Sequence, residues 1–147
     1  MANYCACVRT NYFRVTDEEK YKKLYKGLSA DYEIYDFTKT DPDTKEIYHG
    51  FGAYSTIDYY PCGDPFGEDA EDEEPNLDMF LNEIQKIIHP DDAMIIIEVG
   101  NEKLRYLVGS ATVVTKNGIS GTDIEFEAIT IAQNLLKNPE YRTSCQF

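Results

Sequence analysis

The chain of 147 residues has no tryptophan, and its residues 46–85 include neither lysine nor arginine. It also lacks the common catalytic fingerprints, since it has no Gly-x-Ser-x-Gly, no phosphate-binding P-loop and no dinucleotide-binding glycine pattern. Two histidines are present, and neither lies in a nucleophile motif. These absences argue against an enzyme and favour a protein that acts by binding.

Targeting and membrane signals are missing too. The start of the chain has neither the basic stretch nor the apolar stretch of a secretory signal peptide. The longest apolar run, residues 93–97, is far too short to cross a bilayer. We therefore expect a cytoplasmic protein with no membrane partner, whose four cysteines are thiols or metal ligands rather than disulfides.

Negative charge is abundant and unevenly placed. The formal net charge is −13, and residues 1–45 contribute nothing to it because their eight acidic and eight basic residues cancel. Residues 46–147 hold the other 19 acidic and 6 basic residues. Such a field repels the phosphates of DNA and RNA, so direct nucleic-acid binding is not expected. A basic partner is favoured, including a protein that itself binds nucleic acid.

The acidity peaks between residues 63 and 75, where seven carboxylates stand among glycines and prolines. This composition predicts an exposed acidic loop at about residues 62–75. We expect this loop to bind the partner through Asp64, Glu68, Asp69, Glu71, Asp72, Glu73 and Glu74, with Tyr59, Tyr60 and Phe66 as apolar anchors. The alternative is a solvated loop that only keeps the protein in solution. A calcium site is less favoured, because the spacing matches no EF-hand pattern.

A second candidate site uses sulfur and nitrogen ligands. Cys5 and Cys7 are two residues apart on a predicted strand, so they point to the same face, and His49 and Cys62 flank a neighbouring strand region. Three thiolates and one imidazole form a set that tetrahedral zinc accepts. His89 and Cys145 are held in reserve. The competing interpretation is that these cysteines are small buried apolar residues, since the chain has no Cys-x-x-Cys pair.

Apolar periodicity indicates the fold class. The clearest pattern, residues 77–88, predicts a helix that Asn76 caps and that ends at about His89. Two Thr-x-x-Glu boxes, at residues 16–19 and 122–125, predict the starts of two further helices. Strand-like segments fall between them, and the Asn-Gly pair at residues 117–118 predicts a hairpin. The irregular order favours a single α+β domain, with a mainly antiparallel sheet packed by about three helices.

Four stretches together resemble a known family. They are R-T-N-Y-F-R-V-T-D-E-E-K-Y at residues 9–21, Y-H-G-F-G-A-Y at 48–54, N-E-K-L-R-Y-L-V-G at 101–109 and N-P-E-Y-R-T at 138–143. The resemblance is to small acidic proteins encoded on phages and mobile elements of Gram-positive, largely gut, bacteria. It spans nearly the whole chain and brings no catalytic residues with it.

Genes of this size, acidity and setting often encode inhibitors of host defence, including anti-CRISPR proteins. Some of those imitate the charge of nucleic acid, and at least one Cas9 inhibitor of similar size is a zinc protein. The resemblance therefore implies a non-enzymatic inhibitor of a Cas9-type nuclease that blocks DNA loading. The alternatives are an acidic interaction module for another basic partner, such as a restriction enzyme, or a small zinc-dependent protein.

Overall fold

Antiparallel strand pairing organises the chain, of which the computed structural model describes residues 4–144. The strands are β1 (Cys5–Thr10), β2 (Leu28–Ala30), β3 (Ile34–Asp36), β4 (Lys39–Thr40), β5 (Ile47–Tyr48), β6 (Phe51–Ala53), β7 (Ile57–Tyr59), β8 (Met94–Glu102), β9 (Tyr106–Thr115) and β10 (Gly118–Asp123). Six of them form the main sheet in the order β10-β9-β8-β1-β6-β3, and two small pairs, β2-β7 and β4-β5, stand beside it. The Asn-Gly pair lies at the predicted hairpin between β9 and β10, where Gly118 pairs with Thr115.

The helices in this part of the chain are α1 (Glu18–Lys26), α2 (Leu77–Ile87) and α3 (Ile124–Leu136), with a short 3-10 helix at Glu68–Asp72. The predicted α+β class is therefore confirmed. None of these helices is long and apolar enough to cross a membrane.

Helix α1 begins one residue later than its capping box predicts. The side chain of Asp17 accepts a hydrogen bond from the backbone N–H of Lys20 at 3.0 Å. The Thr16 hydroxyl instead donates to the carbonyl oxygen of Ile87, at 3.0 Å. A carboxylate carries full negative charge toward the positive end of the helix dipole, so Asp17 is favoured over Thr16 as the cap.

The N-cap residue was predicted correctly for α2, whereas for α3 the prediction was again one residue too early. Asn76 caps α2 as predicted, and its side chain accepts from the N–H of Met79. At α3, Asp123 accepts from the N–H of Phe126 at 2.7 Å, so the cap is again the aspartate after the predicted threonine, Thr122.

The core lies between one face of the main sheet and helices α1 and α2. Alternate residues of β1 are buried, which assigns Ala6, Val8 and Thr10 to this inner face. The apolar stripe of α2 packs against it as the periodicity predicts. The largest fully buried side chains are Phe13, Phe51, Phe80, Ile84, Met94 and Val114. Each such burial stabilises the fold by about 1.5–3 kcal/mol relative to exposure.

The opposite, outer face of the sheet is much less covered. Cys7 and Arg9 are exposed on this face of β1, and they pair with Val99 and Ile97 of β8. Those two side chains are themselves half exposed. Strand β8 has a neighbouring strand on each side, as expected for a central strand. Its side chains are nevertheless only partly covered, and Met94 is the one residue of β8 that is fully buried.

Candidate functional site

The acidic loop, residues 62–75, connects β7 to α2 and is closed at its base. The backbone N–H of Asn76 donates to the carbonyl oxygen of Tyr59 at 2.7 Å. Just above, the N–H of Cys62 donates to the carboxylate of Glu73 at 3.0 Å. Because β7 and α2 both pack on the core, the loop is mounted on the most buried part of the molecule.

Local hydrogen bonds fold the loop between these anchor points. The carboxylate of Asp64 accepts from the N–H of Phe66 at 3.0 Å, and the N–H of Gly67 donates to the carbonyl oxygen of Asp64 at 3.1 Å. The 3-10 helix Glu68–Asp72 follows, and its Ala70 is buried against the body of the protein. The loop therefore has a defined shape rather than that of an extended solvated linker.

The seven carboxylates predicted to bind the partner are directed mainly into solvent. Six of them are exposed and Glu73 is half buried. Among residues 4–144, none of the seven forms an ion pair with a lysine, arginine or histidine. No direct ion pair therefore neutralises these seven carboxylates in the described chain, and their charges sum to a negative potential over the loop.

The three predicted apolar anchors are placed differently. Phe66 is 93% exposed among the carboxylates, and Tyr60 is half buried at the start of the loop. Tyr59 is only 6% exposed, and its ring packs 5.6 Å from that of Phe80 in the core. Burial also raises the pKa of Tyr59. The prediction that Tyr59 contacts a partner is wrong, because its alternating position on β7 points it inward.

The predicted zinc ligands are not brought together. Cys5 and Cys7 share one face of β1 as expected, but His49 is buried and Cys62 lies in the acidic loop. Within residues 4–144, no three His, Cys, Asp or Glu side chains are grouped so that they could hold a metal ion. The reserve ligand Cys145 lies outside the described residues, and the His89 ring accepts a hydrogen bond from the N–H of Asp91.

Two of the predicted zinc ligands, His49 and Cys62, are also poorly suited to bind a metal because of their hydrogen bonds. Both ring nitrogens of His49 are engaged, one with the carboxylate of Glu18 at 2.6 Å and the other with the hydroxyl of Thr38 at 3.2 Å. Hydrogen bonding to Glu73 raises the pKa of the Cys62 thiol. Since metal binding requires the thiolate, this shift disfavours Cys62 as a ligand.

The environment of His49 is a buried polar cluster that the sequence did not reveal. The Tyr21 ring stacks on the imidazole with centroids 3.9 Å apart, and burial raises the pKa of that tyrosine. Glu18, His49 and Thr38 form a chain of hydrogen bonds like the orienting part of a catalytic triad. However, His49 is only 5% exposed, so its ring has no access to an external substrate. The cluster fastens α1 to the strands beside it.

A second clasp joins the chain after α2 to the segment after β1. Arg14 donates two side-chain hydrogen bonds to Asp92, at 2.8 and 2.9 Å, and a third to Glu46 at 3.0 Å. Its backbone N–H also donates to Asp92 at 2.8 Å. These bonds hold the pKa of the Asp92 carboxyl below its usual range. The clasp ties together three segments that are distant in the chain, and the Arg14 guanidinium pairs with the carboxylates of both Asp92 and Glu46.

Comparisons of this chain with protein-family models, curated proteins and solved structures find no match. The function of the chain is therefore argued below as a proposal from the chemistry of the described residues.

Proposed function

We propose that this protein is a non-enzymatic inhibitor that binds a basic nucleic-acid channel through its acidic loop. The observation that carries the proposal is the set of seven carboxylates without basic partners in the described chain, grouped on a folded loop around the exposed ring of Phe66. The leading partner is a Cas9-type CRISPR nuclease, which the family resemblance supports. Its place of action is then the cytoplasm of a bacterial host.

The inhibition follows from competition for the same positive groups. A nuclease of this class holds its nucleic acids in a positively charged channel, largely through contacts to the backbone. Carboxylates placed there accept charge-assisted hydrogen bonds from arginine and lysine where phosphates otherwise would. Phe66 supplies the apolar contact that a diffuse electrostatic encounter lacks.

The folded loop also lowers the cost of binding. Its closed base and its 3-10 helix fix the backbone before the partner arrives. Less conformational entropy is then lost on association than a disordered acidic tail would lose. Because exposed charges are screened over about 8 Å at physiological ionic strength, association should be fast at low salt and slow at high salt.

An order-of-addition cleavage assay tests the proposal. The protein is incubated with guide-loaded Cas9 either before or after the target DNA, at several salt concentrations. We expect cleavage to be inhibited only when the protein is added first, and most strongly at low salt. Absence of inhibition at low salt in both orders would rule out Cas9 as the partner.

The same loop fits a second candidate function, a module that binds another basic protein such as a restriction enzyme or a regulator. Affinity capture from a host lysate, with competition by a polyanion such as heparin, separates the two: recovery of Cas9 favours the first and recovery of a different basic protein favours the second. Metal analysis of the same purified protein tests the remaining alternative, a small zinc-dependent protein.

A further inference from the structure

Helix α3 has eight apolar residues among its 13, yet none of the 13 is buried. Its exposed apolar side chains are Ile124, Phe126, Ile131, Leu135 and Leu136, which retain 58–80% of their accessible surface. An apolar stripe along a helix normally faces other elements of the protein. Within residues 4–144, the sheet contacts α3 on one side only and leaves the rest uncovered.

Three of these residues and the exposed Ala128 form a regular line along α3. Ile124, Ala128, Ile131 and Leu135 are separated by four, three and four residues, and each of them is exposed. This is the spacing with which one helix packs against another in a coiled coil. We call these four residues the α3 seam. No charged residue interrupts it.

The seam is continuous with an apolar part of the outer sheet face. Ile124 lies against Gly109 of β9, so closely that a Cβ added to Gly109 would stand 2.6 Å from its Cδ1 atom. A groove of about 410 Å³ runs between α3 and β9, and its lining includes Leu107 and Phe126. Ile97 and Val99 extend the exposed apolar surface across β8.

The size of this surface is that of a protein interface rather than of scattered exposed residues. Full burial of an aliphatic side chain removes about 60–120 Å² of accessible surface, as obtained from its transfer free energy. Full burial of a phenylalanine removes about 150–250 Å². The exposed parts of the apolar α3 residues and of the outer residues of β8 and β9 therefore total about 350–650 Å². That equals the largest apolar patch on an ordinary monomer, a kind of patch that is often functional, and it is about half or more of the roughly 800 Å² that each partner buries in a standard complex.

We propose that a second copy of this chain covers this surface, with the two α3 helices packed antiparallel about a two-fold axis. The seam is self-complementary in that arrangement. When Ile124 faces Leu135 of the partner subunit, Ala128 faces Ile131 of the partner subunit, and the same two pairs recur on the other side of the axis. Each small residue then meets a large one, and the interface closes with two subunits.

The charges along the helix agree with this orientation. The first turn of α3 carries Glu125 and Glu127, and Lys137 follows its last turn. Antiparallel packing brings the acidic start of each helix toward the basic end of the other, which a parallel pair does not. Salt screens these attractions at the helix ends, but it also screens the larger repulsion between two chains of net charge −13, and the seam itself is uncharged, so dimer formation should increase with salt.

Sedimentation equilibrium of the full chain, over a hundredfold range of concentration, tests the proposal. The native protein should show the mass of a dimer, and Ile131→Asp and Leu135→Asp should each raise the dissociation constant at least about tenfold. Met79→Asp is the matched control, since it also places an aspartate at an exposed apolar position of a helix, but outside the patch. It should leave the mass unchanged. Circular dichroism confirms that each variant remains folded.

The orientation has its own test. Ile124→Glu and Leu135→Lys should each weaken the dimer, and the double variant should recover much of the loss, because antiparallel packing puts each new carboxylate opposite a new ammonium. A parallel pair would put like charges together and recover nothing. A folded native protein that stays monomeric throughout, or a dimer that Ile131→Asp and Leu135→Asp leave intact, would overturn the proposal, and a double variant without recovery would overturn the antiparallel arrangement.

Discussion

The acidic loop and helix α3 are both exposed, but their side chains have opposite chemistry. The loop presents seven carboxylates and one aromatic ring, whereas the α3 seam presents aliphatic side chains and no charge. The loop joins α2, which packs on the inner face of the sheet, whereas α3 contacts the outer face at Gly109. Salt should therefore affect the two surfaces in opposite directions, weakening attraction to a basic partner and favouring self-association.

A cavity in the core should destabilise the whole fold and, with it, the base of the acidic loop. Phe80 is fully buried, and its ring contacts those of Phe51 and Tyr59 beneath the acidic loop. Phe80→Ala should lower the free energy of unfolding by about 3–5 kcal/mol, measured by urea denaturation, because it removes apolar contacts and leaves a cavity. A loss below about 1 kcal/mol would mean that the loop is not mounted on the core as described.

The clasp between Arg14 and Asp92 ties the segment that leads from α2 to β8 to the segment between β1 and α1. Asp92→Asn should cost about 1.5–3 kcal/mol at neutral pH, because charge-assisted bonds are lost from a largely buried site. The pKa of Asp92 is lower in the folded state than in the unfolded state, where it is about 3.9. Its contribution is therefore complete above about pH 5 and is lost as the pH falls through the folded-state value.

Urea denaturation at pH 7 and at pH 3 measures this contribution. The native protein should lose more stability between the two values than Asp92→Asn does, since the variant has no carboxylate to protonate at that position. Equal losses would show that other carboxylates account for the acid sensitivity of the fold.

Both successes and failures of the sequence analysis have physical causes. The α+β class, the hairpin at residues 117–118 and the Asn76 cap depend on local patterns, which a sequence displays directly. The contact between Glu18 and His49 spans 31 positions along the chain, so no local pattern announces it. The predicted zinc ligands are not grouped among residues 4–144 for the same reason, since the prediction assumed that neighbouring strand regions would converge on one point.

The candidate sites were predictable to different degrees. The carboxylates of the loop could be found from composition alone, because charge runs are usually exposed. The inward orientation of Tyr59 could not, because it depends on the register of β7 against β2. The seam of α3 is visible in the sequence as a helical period, but the sequence does not reveal that nothing in the described chain covers it.

A substitution at the N-cap of α3 should affect the α3 seam and leave the acidic loop intact, with a smaller loss of stability than the two changes above. Asp123→Ala should destabilise the helix by about 1 kcal/mol, because the N–H of Phe126 loses its acceptor. Self-association should weaken in sedimentation experiments, while binding through the acidic loop should persist. If Asp123→Ala instead abolished partner binding and left the dimer intact, the partner would bind at α3 and not at the acidic loop.

The most direct test of the central claim compares two variants of equal net charge. One neutralises the loop, with Glu68→Gln, Asp69→Asn, Glu71→Gln and Asp72→Asn, and the other neutralises four exposed carboxylates elsewhere, with Glu19→Gln, Asp31→Asn, Glu33→Gln and Asp43→Asn. The measurement is the rate of association with Cas9 at increasing salt. We predict that the loop variant associates at least about tenfold more slowly at low salt and with a flatter salt dependence, while the control stays near the native protein. Equal behaviour of the two variants would contradict the account, because total charge rather than the acidic loop would then control binding.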